Sequence, residues 1–187
     1  MENEVLSVVE DEEKAFHRSV YEWVEAVIFA MVIAAMFCAC AFRMVTVDGD
    51  SMLNTLHNKD VLLMVNAFYN EPRYGDIVVV QQGDNAPLIK RVIAKEGDVI
   101  AIDPETQQVI LNGEVLEESY LDFSTPTLYG FTGPYMVPED CVFVMGDNRV
   151  NSHDSRDLEG IGAVHKDDIM GKAIFRILPF DAIGTIE

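Results

Sequence analysis

The chain has 187 residues, enough for one ordinary domain plus an appendage, and too few for a second full catalytic domain. It carries 13 Lys plus Arg against 32 Asp plus Glu, a net charge of -19, with no basic cluster above that background, so nucleic acid is excluded as a partner. The acids are spread along the chain, seven in residues 1–22 and twenty-four in residues 44–187, which describes a solvated acidic surface.

In chain order, residues 1–22 read as an acidic tail. Trp23 to Phe42, "WVEAVIFAMVIAAMFCACAF", follows with Glu25 as its only charge. Twenty helical residues span about 30 Å, the thickness of a bilayer's hydrocarbon core, so the run predicts one transmembrane anchor over 23–42. "SVYE", Ser19 to Glu22, has capping-box spacing just before it. A cleaved signal peptide would open on a basic region and carry a shorter apolar core. Orientation cannot be read from charge, because Lys14 and Arg18 on one side balance Arg43 and Lys59 on the other. Cys38, Cys40 and Cys141 have neither disulfide-framework nor zinc spacing and read as small buried hydrophobes.

From Val45 onward the texture is mostly β: "DIVVVQQGDN", "PLIKRVIAKEGDVIAID", "QQVILNGEVLEE", "DCVFVMGDN" and "DIMGKAIFRILPF" are apolar runs parted by turn signals. Asn112-Gly113 predicts a hairpin turn. Tyr120 to Pro138, with three prolines and two glycines, predicts a long irregular connection that is either mobile or shapes a groove. The resulting picture is a β-rich domain over 43–187, hung on one helix.

Three stretches carry chemistry-bearing residues. Ser51, in "VDGDSMLNTLHNKD", follows a Gly-Asp turn and is by itself equally well a helix N-cap or turn serine. Lys90 lies in an apolar strand, on one face with Leu88, Val92 and Ala94, while Arg91 shares the other with Ile89 and Ile93. Two readings stand: charges that blunt a sheet edge or snorkel to water, and a lysine desolvated until it can act as a base. "MGDNRVNSHDSRD", Met145 to Asp157, crowds polar residues directly after an apolar strand. Ser152, His153 and Asp154 are not a catalytic triad, since consecutive residues diverge and a triad is assembled in space. His17, His57 and His165 have no ligand-spaced partners, and the stretches near Asp48 and Asp147 lack the calcium-loop pattern, so no metal or organic cofactor is expected.

Taken together, "GDSMLNTL" at 49–56, "YGDIVVV" at 74–80, "IKRVIAKEGD" at 89–98, "GDNRVNSHDSR" at 146–156 and "IMGKAIFRI" at 169–177 resemble the ordered blocks of the type I signal peptidases, in their small single-anchor form. The resemblance implies a signal-peptidase-like antiparallel β-sheet fold and a Ser/Lys dyad, with Ser51 as nucleophile and Lys90 as general base. It implies that Ser152 hydrogen-bonds and orients the lysine amine, that Asp154 and Arg156 support the loop, and that Arg91 and Asp147 form a structural pair. The Ser51 N–H is the natural oxyanion donor.

It further implies partners and a place: signal peptides of exported preproteins, a lipid bilayer, and a catalytic domain on the extracytoplasmic side of the cell membrane. The signal-peptide end would lie along Leu88 to Lys90, with small side chains of an Ala-X-Ala type site entering pockets lined by Val47, Met52, Leu56, Leu88 and Ile89. Departures are Asn54 where proline is usual, Gly49 where many relatives have serine, and Lys95-Glu96 where Leu-Pro is common. Two alternatives are a soluble self-cleaving Ser/Lys repressor-type enzyme, opposed by the apolar run, and a membrane-tethered binding module that does not cleave.

Overall fold

A computed structural model describes residues 2–67, 69–83, 86–121 and 130–186, with side chains from residue 19 onward. It divides into two compact units, Met1–Ala41 and Phe42–Glu187. The first is a single helix, α1, Glu2–Ala41. It begins well before the "SVYE" box, which lies inside the helix rather than capping it. The reason is local: residues 2–41 contain neither Gly nor Pro, and the acids at 2–13 suit a helix N-terminal half. Within it, Ser19–Ala41 is long and apolar enough to cross a membrane, at 23 residues or about 35 Å. The helix stops one residue before the expected Phe42. Cys38 and Cys40, expected to be buried, are exposed on it, because no other element of this unit covers that surface.

The second unit is β-rich. Its strands are β1 Phe42–Thr46, β2 Val61–Val65, β3 Ile77–Val80, β4 Leu88–Lys95, β5 Val99–Ile102, β6 Val109–Leu111, β7 Glu114–Val115, β8 Tyr135–Met136, β9 Cys141–Met145, β10 Val164–His165, β11 Ile169–Leu178 and β12 Gly184–Thr185. One antiparallel sheet runs β1-β2-β11-β3-β4-β9-β10, with β12 paired to β11, and a smaller one runs β7-β6-β5-β8. The hairpin between β6 and β7 turns on Asn112 and Gly113, both at positive φ, as their sequence signal requires. The expected connection from Tyr120 to Pro138 contains β8; its residues 122–129 lie outside the described residues.

The centre of the large sheet is buried on both faces, which explains why "IVVV", Ile77–Val80, is continuously apolar. Ile77 and Val79 of β3 join Ile89 of β4 in one cluster with Val47, Met52, Leu56, Leu62, Met64 and Ala173. Val78 and Val80 join Val92, Val142, Val144 and Val164 in another, on the opposite face. A bulge between Val92 and Ala94, against β9, turns both Ile93 and Ala94 into a third cluster built around Phe143 and Met145, which ties the small sheet to the large one.

Phe143 is fully buried in that third cluster and packs at a tilt against the rings of Phe131 and Tyr135. Phe143→Ala is expected to destabilise the domain by about 3–5 kcal/mol, read as a lowered urea midpoint at unchanged slope.

Candidate active site

Ser51 sits on the turn between β1 and β2. Backbone bonds from Val47 N–H to Asp60 and from Lys59 N–H to Val47 close the base of that turn, and the Gly49 N–H donates to Asn58 Oδ1. Gly49 has φ +100°, a conformation that favours glycine. One helical turn after the serine, the Leu56 N–H donates to the Met52 carbonyl, and both side chains point into the core, at 0% and 1% exposure. Arg176 of β11 holds the same turn from below, ion-paired with Asp60 at 3.1 Å and donating to the Thr55 carbonyl.

Lys90 stands opposite Val78 in the ladder between β3 and β4, on the face that carries the valine cluster. It is 2% exposed. Its Nζ lies 2.8 Å from Ser51 Oγ and 3.1 Å from the Ile89 carbonyl oxygen. Burial pushes the amine down from 10.5 to about 8; Asp154 and Asp147 pull it back up and Arg156 pushes it further down, but desolvation dominates.

The loop after β9 grips the backbone of the serine turn. Asn148 donates from its N–H to the Ser51 carbonyl at 3.0 Å and from Nδ2 to the Asp50 carbonyl at 2.9 Å. Gly146 admits the close approach: a Cβ on it would lie 2.2 Å from Ser152 Oγ and 2.4 Å from the Ser51 carbonyl oxygen. The loop is braced by Arg156, which forks onto Asp154 through Nε and Nη2, both at 2.8 Å, while Asp154 also accepts from the Gly146 N–H. Burial alone would raise the Asp154 carboxyl, yet Arg156 and Gly146 hold it below the usual carboxylate range. Ser155, for which the sequence suggests no role, caps β9 by accepting from the Val144 N–H and donating its own N–H to the Val144 carbonyl.

On β4 beside Lys90, Arg91 meets Asp147 in a buried two-pronged ion pair, 2.9 and 2.8 Å, and donates to the Gly75 carbonyl. Thr55, from the serine turn, donates to the same carboxylate. Tyr120 lies under the Arg91 guanidinium, 3.9 Å from ring centroid to Cζ. Arg149, wholly buried, pairs with buried Glu118 and donates from Nε to the Gly146 carbonyl.

Two expectations need correction. Ser152 Oγ is buried near enough to Asp154 to favour its ionised form, but it makes no hydrogen bond to Lys90; the amine is turned to Ser51 and the Ile89 carbonyl instead. Val47, Met52 and Leu56 do not line an accessible pocket: they are core residues beneath the serine turn, because a turn this long needs apolar side chains to pin it to the sheet. Leu88, half-buried, and Ile89, 8% exposed, keep some surface. Gly146, Asn148, Thr55, Glu118 and Arg149 also belong to the site; Gly146, Asn148 and Arg149 lie inside the polar block of the sequence, whereas Thr55 and Glu118 carry no local signal.

The edge of β4 next to the serine is open. Val92 donates its N–H to Asp76 and accepts from Gly75, so by alternation the Ile89 N–H and carbonyl point to the other side. There β9 pairs only from Arg91↔Met145 onward, leaving Leu88 to Lys90 unpaired on that side among the described residues. The Ser51 N–H likewise has no acceptor among them. Nor do three or more His, Cys, Asp or Glu among the described residues converge where a metal would be held.

A serine hydroxyl within hydrogen-bond reach of a desolvated amine, beside an open strand edge, is a constellation suited to acyl transfer from an extended peptide. The chain belongs to the family described as signal peptidase, peptidase S26, whose sequence pattern matches residues 20–178. It is therefore a peptidase. Signal peptidase I S of Bacillus subtilis (strain 168) is 37% identical to it, over 88% of this chain and 92% of that one. Signal peptidase I of Bacillus amyloliquefaciens is 35% identical, over 93% and 96%, and that of Bacillus licheniformis 35%, over 94% and 99%.

Gly146→Ala is expected to abolish activity in a folded but destabilised protein, since the added methyl has only Ser152 and the Ser51 backbone to displace. Preserved circular dichroism with lost peptide cleavage is the check. Lys90→Met is expected to stabilise the fold. A Lys pKa depressed from 10.5 to about 8 costs about 3 kcal/mol below pH 8. Between those two pH values the unfolded wild type binds more protons than the folded one, so wild-type stability rises with pH there and the advantage of the variant fades. Urea unfolding at pH 7 and pH 10 measures both limits.

Proposed function

We propose that this peptidase removes N-terminal signal peptides from translocated preproteins by a Ser/Lys dyad, cutting after small residues of the Ala-X-Ala type. The observation that carries the reading is the 2.8 Å approach of the buried Lys90 amine to the Ser51 hydroxyl. Membership of the signal peptidase family supports the substrate class.

The chemistry follows from the geometry. Neutral Lys90 accepts the Ser51 proton as Oγ attacks the scissile carbonyl, and the Ser51 N–H receives the developing oxyanion. The protonated amine passes its proton to the leaving nitrogen, freeing the mature protein and leaving the signal peptide as an ester on Ser51. Water, deprotonated by Lys90, then cleaves that ester. Asp154 with Arg156, and Arg91 with Asp147, are internally compensated pairs that hold the site without adding a large net field.

The substrate end adds as a strand to the open edge of β4 at Leu88 to Lys90, exchanging backbone bonds with Ile89. Burial of Met52 and Leu56 leaves only shallow space around the serine, which supports small side chains near the cut. Ser19–Ala41 is the single membrane anchor, and residues 43–187 act on the extracytoplasmic side, where translocated substrates emerge.

The test is cleavage of a preprotein with an Ala-X-Ala site by the detergent-solubilised chain. Ser51→Ala and Lys90→Met should each lower kcat about a thousandfold or more; full activity in either sinks the dyad. A wild type that binds but never cuts would favour a binding module. With the Lys90 amine at about 8, kcat/KM should rise with pH up to that value and then level off, because the protonated amine cannot act as base.

A further inference from the structure

Glu118 is a buried acid that the chemistry above does not use. It follows β7, in a stretch remote in sequence from both Ser51 and Lys90, and it is 5% exposed. Its Oε1 accepts from Arg149 Nη2 and from the Tyr120 hydroxyl, and its Oε2 accepts from Arg149 Nη1 at 3.2 Å. Arg149 spends its remaining Nε on the Gly146 carbonyl at 3.0 Å, and its own carbonyl accepts from Arg156 Nη1 at 2.8 Å.

The geometry of Gly146 makes this connection consequential. Its Cα packs so closely against the Ser51 carbonyl and Ser152 that no Cβ fits. A small shift of the Gly146 peptide must therefore move the serine turn or the loop. We propose that Glu118, acting through Arg149, is a positioning residue for the Ser51 and Lys90 pair: the carboxylate fixes the guanidinium, and the guanidinium fixes the Gly146 peptide against the serine turn. This rests on the Ser/Lys reading above. The same short segment reaches the other arm of the site, since Tyr120 stacks under Arg91, the neighbour of Lys90 on β4.

A buried ion pair is weak evidence of a stability role, because an apolar pair of similar volume often serves the fold equally well. What an apolar pair lacks is a donor for the Gly146 carbonyl. That difference separates positioning from packing. Misplacement of reacting groups by about 1 Å costs on the order of a hundredfold in rate, so a partial loss of register should read as tenfold or more.

The experiment measures kcat, KM and the thermal midpoint of the full chain in detergent, on a preprotein with an Ala-X-Ala site, for Glu118→Gln, Arg149→Lys and the double variant Glu118→Leu with Arg149→Met. Glu118→Gln should lower kcat about tenfold or more with KM within about threefold. The double variant should regain a midpoint near wild type while kcat stays low. Arg149→Lys keeps the charge but loses the planar fork that serves Glu118 and Gly146 together, and should also be slow.

A double variant with wild-type kcat would overturn the proposal and make the pair structural. If that variant does not fold, Arg149→Lys decides: a folded protein with undiminished kcat overturns it equally. Ser51→Ala, run alongside, keeps the two readings apart: cleavage surviving there refutes the serine mechanism on which the positioning rests, whereas cleavage lost there with wild-type kcat in the double variant refutes the positioning alone.

Discussion

The desolvation of one amine is the constraint on which the rest of the site depends. Lys90 can lie near neutrality only because β3 and β4 are buried on both faces, so that the face bearing the lysine is otherwise built of valines. That same burial would be ruinous if a bare carboxylate stood beside it, since a close counter-charge would restore the ammonium. The acids near Lys90 are instead each tied to a guanidinium, Asp154 to Arg156 and Asp147 to Arg91. Their influence on the amine is thereby partly cancelled, and burial prevails.

The second requirement is registry. A strand delivers Lys90 with little freedom, but Ser51 comes from a turn, and a turn must be held from several sides. Met52 and Leu56 pin it from the core, Arg176 and Thr55 tie it to β11 and to the Asp147 pair, and Asn148 grips its backbone from the loop after β9. Gly146 is where the loop meets the turn, and its missing side chain is what lets the two touch.

The legibility of the site follows the range of the interactions. Lys90 and the block from Gly146 to Arg156 stand out because each sets a residue type against its local context, a cation in an apolar strand or polar crowding at a strand end, whereas Ser51 is an ordinary turn serine until it is placed beside them. Glu118 and Thr55 look like ordinary residues in ordinary loops, and only their long-range partners give them a place. Pocket assignments failed for Val47, Met52 and Leu56 for a related reason. Apolar residues beside a nucleophile can face a substrate or face the core, and local pattern cannot say which. The Ser152 hydroxyl shows the same limit, since its direction depends on a loop whose path is set by Arg149 and Asp154.

By itself the sequence determined an apolar helix near the N-terminus and a β-rich remainder with its hairpin at Asn112-Gly113, because hydrophobic period and turn chemistry are encoded locally; the pairing of Ser51 with Lys90 came only with the resemblance of the ordered blocks. It did not determine where the helix begins, since the stop signal is only the absence of any breaker from Glu2 to Ala41. Tertiary structure alone decided that Lys90 meets Ser51 across 39 residues, that the β4 edge beside them is left open where β9 ends, and that Glu118 reaches Gly146 through Arg149. Those outcomes depend on strand order and loop closure, which bring together groups that no window of sequence contains.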